Sequence, residues 1–457
     1  MNAFEVDLDL VRKYNVAGPR YTSYPPATRF QDDLPMEWVE REIQARDAGD
    51  RDLSLYFHLP FCRSLCWFCG CNTVITTDQN ASATYLRYLR KELALVQSLL
   101  SSKRKVGQWH LGGGTPTFFK PDEIRALGEA VHEMFEITGD CEAGVEIDPR
   151  SLSREHVMAL REVGFNRASM GVQDHNAVVQ RAVHRIQPFA QTKMAIDWVR
   201  SAGFNSINVD LIYGLPHQSV ASFSKTLDEI LVLQPDRLAI FGYAHVPWIK
   251  PAQSKLAESG LPSTELRLSL FKLAVEKLTS AGYVHIGMDH FARPEDELAV
   301  AQRHGTLQRN FQGYSTRGGA DLFAFGMSAI SQTENLYWQN HKKLPAYYQA
   351  LDQGKLPLTR GYVLDKDDKI RRHTIMRLMC DLNLDFAKLS EELGIDFPGY
   401  FGRELAAAEP FEFDGLIERT PDGLAVSDSG RLFIRNIAMC FDGRCVLTDE
   451  KQHSKTL

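Results

Sequence analysis

A chain of 457 residues with a net charge of −6, 44% apolar and 24% charged residues has the makeup of a globular protein long enough for two to four domains. That balance, with no long basic run and no apolar stretch of about eighteen residues, argues against a nucleic-acid footprint and against a membrane span. The acidic start, Met1 to Asp7, lacks the apolar centre of a signal peptide, so a cytoplasmic protein is the expectation.

Residues 1–35 read as an arm, rich in turn formers and aromatics around Gly18–Pro26 and without amphipathic period. Residues 36–350 read as one α/β domain. Short β-rich runs at Leu53–Leu59, Gln108–Leu111, Ala143–Ile147, Arg167–Gly171, Ile207–Ile212 and Arg237–Tyr243 alternate with helical patterns at Ala83–Ser101, Pro121–Phe135, Arg154–Val163, Gln191–Ala202 and Val220–Leu233. Strands alternating with helices of this length predict βαβ units and a parallel sheet, and right-handed crossovers roll six such units into a closed or partly open barrel. Residues 351–457 read as a second, mostly helical domain. Its helices fall at Lys369–Asn383, Phe386–Leu393, Tyr400–Ala408 and Ser429–Met439, with an Asp-Gly hairpin at Ile417–Val426, a winged-helix-like outline read as packing rather than DNA binding.

Polar and glycine-rich residues collect where the strands end, which is where parallel α/β barrels keep their active sites. After the first strand come Cys62, Cys66 and Cys69, with Cys71 two residues on. Four of eight cysteines within one loop of a large chain point to metal binding in a reducing compartment rather than to disulfides. The C-x3-C-x2-C spacing suits three thiolates around one iron–sulfur cube and leaves one iron with an open position, able to bind and reduce a small molecule. A structural zinc site is the competing reading. It usually takes two paired groups of ligands, and no second pair occurs here. Cys71 reads either as a substrate-side thiol or as a small buried residue. Gly112-Gly113-Gly114-Thr115-Pro116 follows the second strand, and adjacent glycines let a ligand lie against the backbone. Glu146 and Asp148 end the third strand, either as functional carboxylates or as a cap or surface pair. Gln173 and Asp174 follow the fourth, Asp210 lies late in the fifth, and Ala244 and His245 follow the sixth. Arg185 reads as an exposed side chain or as a carboxylate fork. For His58, His184, His245 and His290 a core or surface reading outweighs catalysis.

With these residues assembled, the chain resembles the radical S-adenosylmethionine enzymes through its cysteine loop, with Phe68 before Cys69, and through Gly112–Pro116. The segments Pro19–Pro25, Cys69–Asn72, Gly171–Asp174, Asp210–Pro216 and Gly287–Pro294 narrow this to the oxygen-independent coproporphyrinogen III oxidase family, nearly end to end. The resemblance implies an incomplete six-stranded barrel, a 4Fe–4S cluster and two bound S-adenosylmethionine molecules. It implies that Cys62, Cys66 and Cys69 hold the cluster, that Tyr56, Gly113, Glu146 and Ile330 contact the first S-adenosylmethionine, and that Phe68, Gly114, Thr115, Gln173, Arg185, Asp210 and Ala244 line the second. Gly70 and Cys71 lie in the same loop, and Cys71 and Tyr56 are the candidate catalytic residues. The implied reaction converts two propionates of coproporphyrinogen III to vinyl groups in anaerobic haem synthesis, with a 5′-deoxyadenosyl radical taking the hydrogen. An electron donor such as a flavodoxin or ferredoxin is expected, and a monomer is the expected state. The substrate carries four carboxylates while the chain is net acidic, so local cations must compensate; Arg20, Arg293 and Arg309 are the candidates.

Overall fold

The computed structural model describes residues 6–47 and 51–444. The first five residues of the predicted arm, and 445–457 with Cys445, lie outside the described residues. Among the described residues no helix is long and apolar enough to cross a membrane.

Six parallel strands lie side by side in chain order: β1 (Leu53–Leu59), β2 (Lys105–Gly113), β3 (Glu136–Ile147), β4 (Arg167–Gln173), β5 (Ser206–Tyr213) and β6 (Arg237–Gly242). The crossovers carry helices α1 (Asn80–Gln97), α2 (Pro121–Met134), α3 (Arg154–Val163), α4 (Phe189–Ser201) and α5 (Val220–Leu233). Each turns an apolar stripe to the sheet, as α3 does with Val157, Ala159, Leu160 and Val163, and Ser153 caps that helix by accepting the His156 N–H. Strand residues facing the helices, such as Leu55, Phe57, Trp109, Val145, Met170 and Val209, are buried. The opposite faces of β2–β6 surround a central cavity of about 240 Å³, so the sheet curls into a partial barrel.

The sheet extends beyond those six strands. A seventh parallel strand, β7 (Asp321–Phe325), pairs with β1 on its free side, followed by antiparallel strands Ile330–Gln332, Leu336–Asn340 and Leu358–Val363. Beyond β6 come His290–Ala292 and Val284–Gly287, both antiparallel. Among the described residues the two ends do not pair, so the barrel stays open. A hairpin of Gln308–Asn310 and Gly313–Ser315 abuts its inner face, with Gln108 donating to the Ser315 hydroxyl at 3.1 Å and Gln312 to the Ser54 hydroxyl at 3.3 Å.

The arm is not without helix: Leu8–Tyr14 forms one, capped by Asp7. It lies against α6 (Thr264–Ser280) through an Arg12–Glu265 ion pair at 2.7 Å, and Tyr14 stacks on Phe411 at 4.6 Å. In the C-terminal segment α7 (Lys366–Asp381) ends two residues before the predicted boundary. Leu382 turns left-handed there, and Asn383–Asp385 adds a third strand to the hairpin Ile417–Thr420 and Gly423–Val426.

Candidate active site

The cysteine loop leaves β1 through Pro60 and Phe61 and is anchored at several points. Gly114 N–H donates to the Leu59 carbonyl at 2.8 Å and Thr115 N–H to that of Phe61 at 2.9 Å, so the glycine-rich turn after β2 zips onto the start of the loop. A Cβ on Gly114 would stand 2.5 Å from the backbone carbonyl of Pro60. Gly114→Ala must therefore shift one of two backbones, and a loss of about 1–3 kcal/mol in stability is expected, measured by urea unfolding. Gly113 is in the left-handed region at φ +110°, with its missing Cβ filled by the His58 ring.

The three predicted ligand thiols share this loop with separate partners. Cys62 Sγ lies 3.4 Å from the Thr115 hydroxyl. Cys66, buried, receives Arg150 Nη2 at 3.4 Å and Arg185 Nη1 at 3.6 Å. Both guanidiniums also hold Asp148, at 2.6 and 3.1 Å. Burial pushes the Asp148 carboxyl up, but Arg185 and Arg150 bring it below the ordinary range. Arg185 is thus buried and paired rather than exposed, and it further donates to the Gly171 carbonyl at 2.6 Å. Cys69 meets Cys71, whose residue is exposed. Gly70 beside them has nothing within 4 Å of where its Cβ would be. Phe68 packs with Val179, Val183, Leu215 and Tyr243, and Gln253 and Lys250 donate to the carbonyls of Phe68 and Cys71 at 3.0 and 2.7 Å.

Beside the loop, three of the four residues predicted around the first nucleoside ligand, Tyr56, Gly113 and Glu146, are linked to one another. Tyr56 stacks on His110 with ring centroids 5.9 Å apart. His110 reaches Glu146 at 3.6 Å, and Glu146 accepts the Gly113 N–H at 3.0 Å. Burial raises the Glu146 carboxyl, yet His110 and the Gly113 N–H outweigh it and leave it below the ordinary range. Its side chain is still 45% open, so the carboxylate faces the cavity. His58 Nε2 lies 2.8 Å from the Asn72 carbonyl and must donate to it, so Nδ1 accepts from Tyr56 Oη at 3.2 Å. This ties β1 to the loop through a neutral imidazole, in keeping with burial pulling its pKa down. Ile330 lies two strands from β1, packed with Phe30, Tyr337 and Leu364. Further along, Asp210 accepts from Asn208 at 2.7 Å and Ser169 at 3.2 Å, and it lines the cavity with Glu146. Gln173 holds a left-handed φ of +70° beside Gly171. Ala244 is exposed after β6.

Sequence reasoning passed over Arg150 and His110. The signal for Arg150 is its spacing, one residue past the Asp148-Pro149 pair, which turns it back on the carboxylate. For His110 it is strand alternation, which places it on the same face as Gly112 and Glu146's neighbour Gly144.

Comparison with known proteins fits this geometry. Residues 56–230 match the Radical SAM superfamily and residues 364–433 the HemN C-terminal domain. The oxygen-independent coproporphyrinogen III oxidase of Synechocystis sp. is 46% identical over 442 residues, 96% of this chain and 95% of that protein. The chain belongs to this family. The Escherichia coli K12 oxidase of the same name is 46% identical over 436 residues, 95% of each chain. The solved E. coli coproporphyrinogen III oxidase, described as a radical SAM enzyme, superposes with a TM-score of 0.92 at 43% identity, covering 97% of this chain and all of that one. Members of this oxidase family use a 4Fe–4S cluster and S-adenosylmethionine, and the donor set here fits the cluster. The thiols of Cys62, Cys66 and Cys69 lie close enough to act on one another's charge, as three ligands of one cluster must. Arg150 and Arg185, both at the Cys66 sulfur, are available to offset thiolate charge.

Proposed function

We propose that this chain converts two propionates of coproporphyrinogen III to vinyl groups, giving protoporphyrinogen IX in anaerobic haem synthesis. The observation that carries this reading is the cysteine loop seated beside the Tyr56–His110–Glu146–Gly113 chain, at the mouth of a barrel matched over its whole length by oxidases of that name. A propionate β-hydrogen sits on an unactivated carbon, so no side-chain base can remove it and the task falls to the cofactor. When bound, the reduced cluster and S-adenosylmethionine would supply a carbon radical able to take this hydrogen; the substrate radical must then release carbon dioxide and pass one electron to an external one-electron acceptor to leave the vinyl group.

The protein's own residues hold and enclose the reactants. Cys62, Cys66 and Cys69 are the cluster ligands in this reading, and the Gly113–Glu146 corner with Tyr56 receives the first S-adenosylmethionine. Thr115, Gln173, Arg185 and Asp210 lie toward a second, with Phe68 and Ala244 at its apolar side; Arg185 Nε, buried and without a hydrogen-bond partner, is the donor left to it. Ile330, at the start of the strand that follows β7, is the fourth residue proposed for the first S-adenosylmethionine. Tyr56 and Cys71 are the candidate catalytic side chains, Cys71 as the one cysteine of the loop that is exposed. A low-potential flavodoxin or ferredoxin as donor, a monomer and a cytoplasmic location complete the proposal, with a catalytic unit at 36–350 between the arm (1–35) and the C-terminal unit (351–457).

Burial raises the Asp210 carboxyl to about 6, with the Glu146 charge adding and Asn208 and Ser169 opposing. An ionised Asp210 is the form that accepts ribose hydroxyls or an ammonium group. S-Adenosylmethionine affinity should therefore fall by up to about tenfold for each pH unit below that value. Asp210→Asn should lower the plateau and flatten this limb, as measured by equilibrium dialysis from pH 5 to 8. The function itself is tested by anaerobic incubation with coproporphyrinogen III, S-adenosylmethionine and reductant. Protoporphyrinogen IX with matching carbon dioxide supports it; methionine release without vinyl product overturns it.

A further inference from the structure

The barrel cavity is lined by the rings of Phe241, His290 and Tyr314 as well as by Glu146 and Asp210. Two arginines stand over these rings. Arg20, from the arm, lies 5.8 Å from the Phe241 ring centre and pairs with Asp289. Arg309 lies 4.7 Å from the ring of Tyr314, its direct partner across the hairpin. Arg309 is 5% exposed, and its Nη2 donates to the Arg20 carbonyl at 3.2 Å, while Nε and Nη1 have no hydrogen-bond partner. Asp289, a carboxylate whose charge acts on Arg309, is already engaged by Arg20. Arg435 adds positive charge nearby, its Nε and Nη2 donating to the carbonyls of Pro19 and Gly18. Arg293, by contrast, turns away: it donates to the Pro235 carbonyl and stacks on Tyr283, so it leaves the list of candidate cations.

A buried guanidinium with unpaired N–H groups is costly unless an acceptor arrives. Resting on the functional reading above, we infer that Arg309, with Arg20 beside it, takes the carboxylate of a non-reacting propionate and so sets the pose of the porphyrinogen. Neither guanidinium lines the cavity itself; both stand over rings that do, and the cavity of about 240 Å³ is below the ~300–1,000 Å³ of sites that engulf a whole drug-sized ligand, so the carboxylate end of one arm of the tetrapyrrole, not the entire ring, reaches them past Phe241 and Tyr314. The aromatic rings supply a flat apolar wall for that arm, and Arg20 ties the arm segment of the chain to the filled site.

The test is equilibrium binding of coproporphyrinogen III and of its tetramethyl ester to the anaerobic, cluster-loaded enzyme. The unmodified enzyme should prefer the acid by at least about thirtyfold, and Arg309→Met should abolish most of that preference by weakening the acid alone. Arg309→Lys, which keeps the charge without the fork, should restore part of it. Equal weakening of acid and ester by Arg309→Met, or no preference in the unmodified enzyme, would overturn the inference. No binding of coproporphyrinogen by the unmodified enzyme would overturn the functional reading, and this inference with it.

Discussion

Replacing Cys66 with Ser should reduce vinyl product formation by more than about a thousandfold, because the side chains offer no second route to the β-hydrogen. Cys66 is the buried member of the three thiols, and two arginines converge on its sulfur. A serine oxygen is a hard, protonated ligand at neutral pH and a poor substitute for thiolate on iron. The reconstituted variant should hold less iron and sulfide while its far-UV circular dichroism stays native, since a Ser Oγ fits the same space. Product formation at even a tenth of the original rate would show that this cysteine is no ligand.

The largest stability loss is expected from Asp148→Ala. Its carboxylate neutralises both Arg150 and Arg185, and the three side chains are 12%, 21% and 8% exposed. Removing the shared acid leaves two like charges close together and largely out of water, a situation that typically costs about 3–5 kcal/mol. Guanidinium unfolding of the cluster-free protein reads this directly. The sign also fixes a pH dependence. Asp148 is held below its unfolded range, so its contribution is present above the ordinary carboxylate pKa and is lost as pH falls through the depressed folded value. The acid limb of the stability curve should flatten in Asp148→Ala.

Much of this architecture is legible before any coordinates. The β1, α3 and α5 boundaries coincide with the periodic runs, because a buried parallel strand and an amphipathic helix leave unambiguous patterns when each serves a single layer. β7 is the telling omission. Its residues Asp321–Phe325 are all buried and read as a strand in isolation, but no crossover helix follows them, so the βα rhythm gives no place for the segment beside β1. The hairpin carrying Arg309 and Tyr314 is short and alternates weakly, and only its lodging inside the barrel gives it meaning. In the site, the cysteines and glycines announce themselves through spacing. The pairing of Arg185 with Asp148 does not, because it joins residues 37 positions apart through tertiary contact alone. His58 is a similar case: its side chain links Tyr56 to the Asn72 carbonyl, and that link exists only once the loop folds back across β1.

The central claim is a cluster held by three cysteines with one iron corner free for S-adenosylmethionine. Electron paramagnetic resonance of the reduced, air-protected enzyme, recorded before and after adding S-adenosylmethionine, tests it most directly. The account predicts a 4Fe–4S signal whose g-values shift on addition, in the unmodified protein and in Cys71→Ser alike. A spectrum indifferent to S-adenosylmethionine, or one that becomes responsive only when Cys71 is removed, would mean that a fourth side chain occupies that corner.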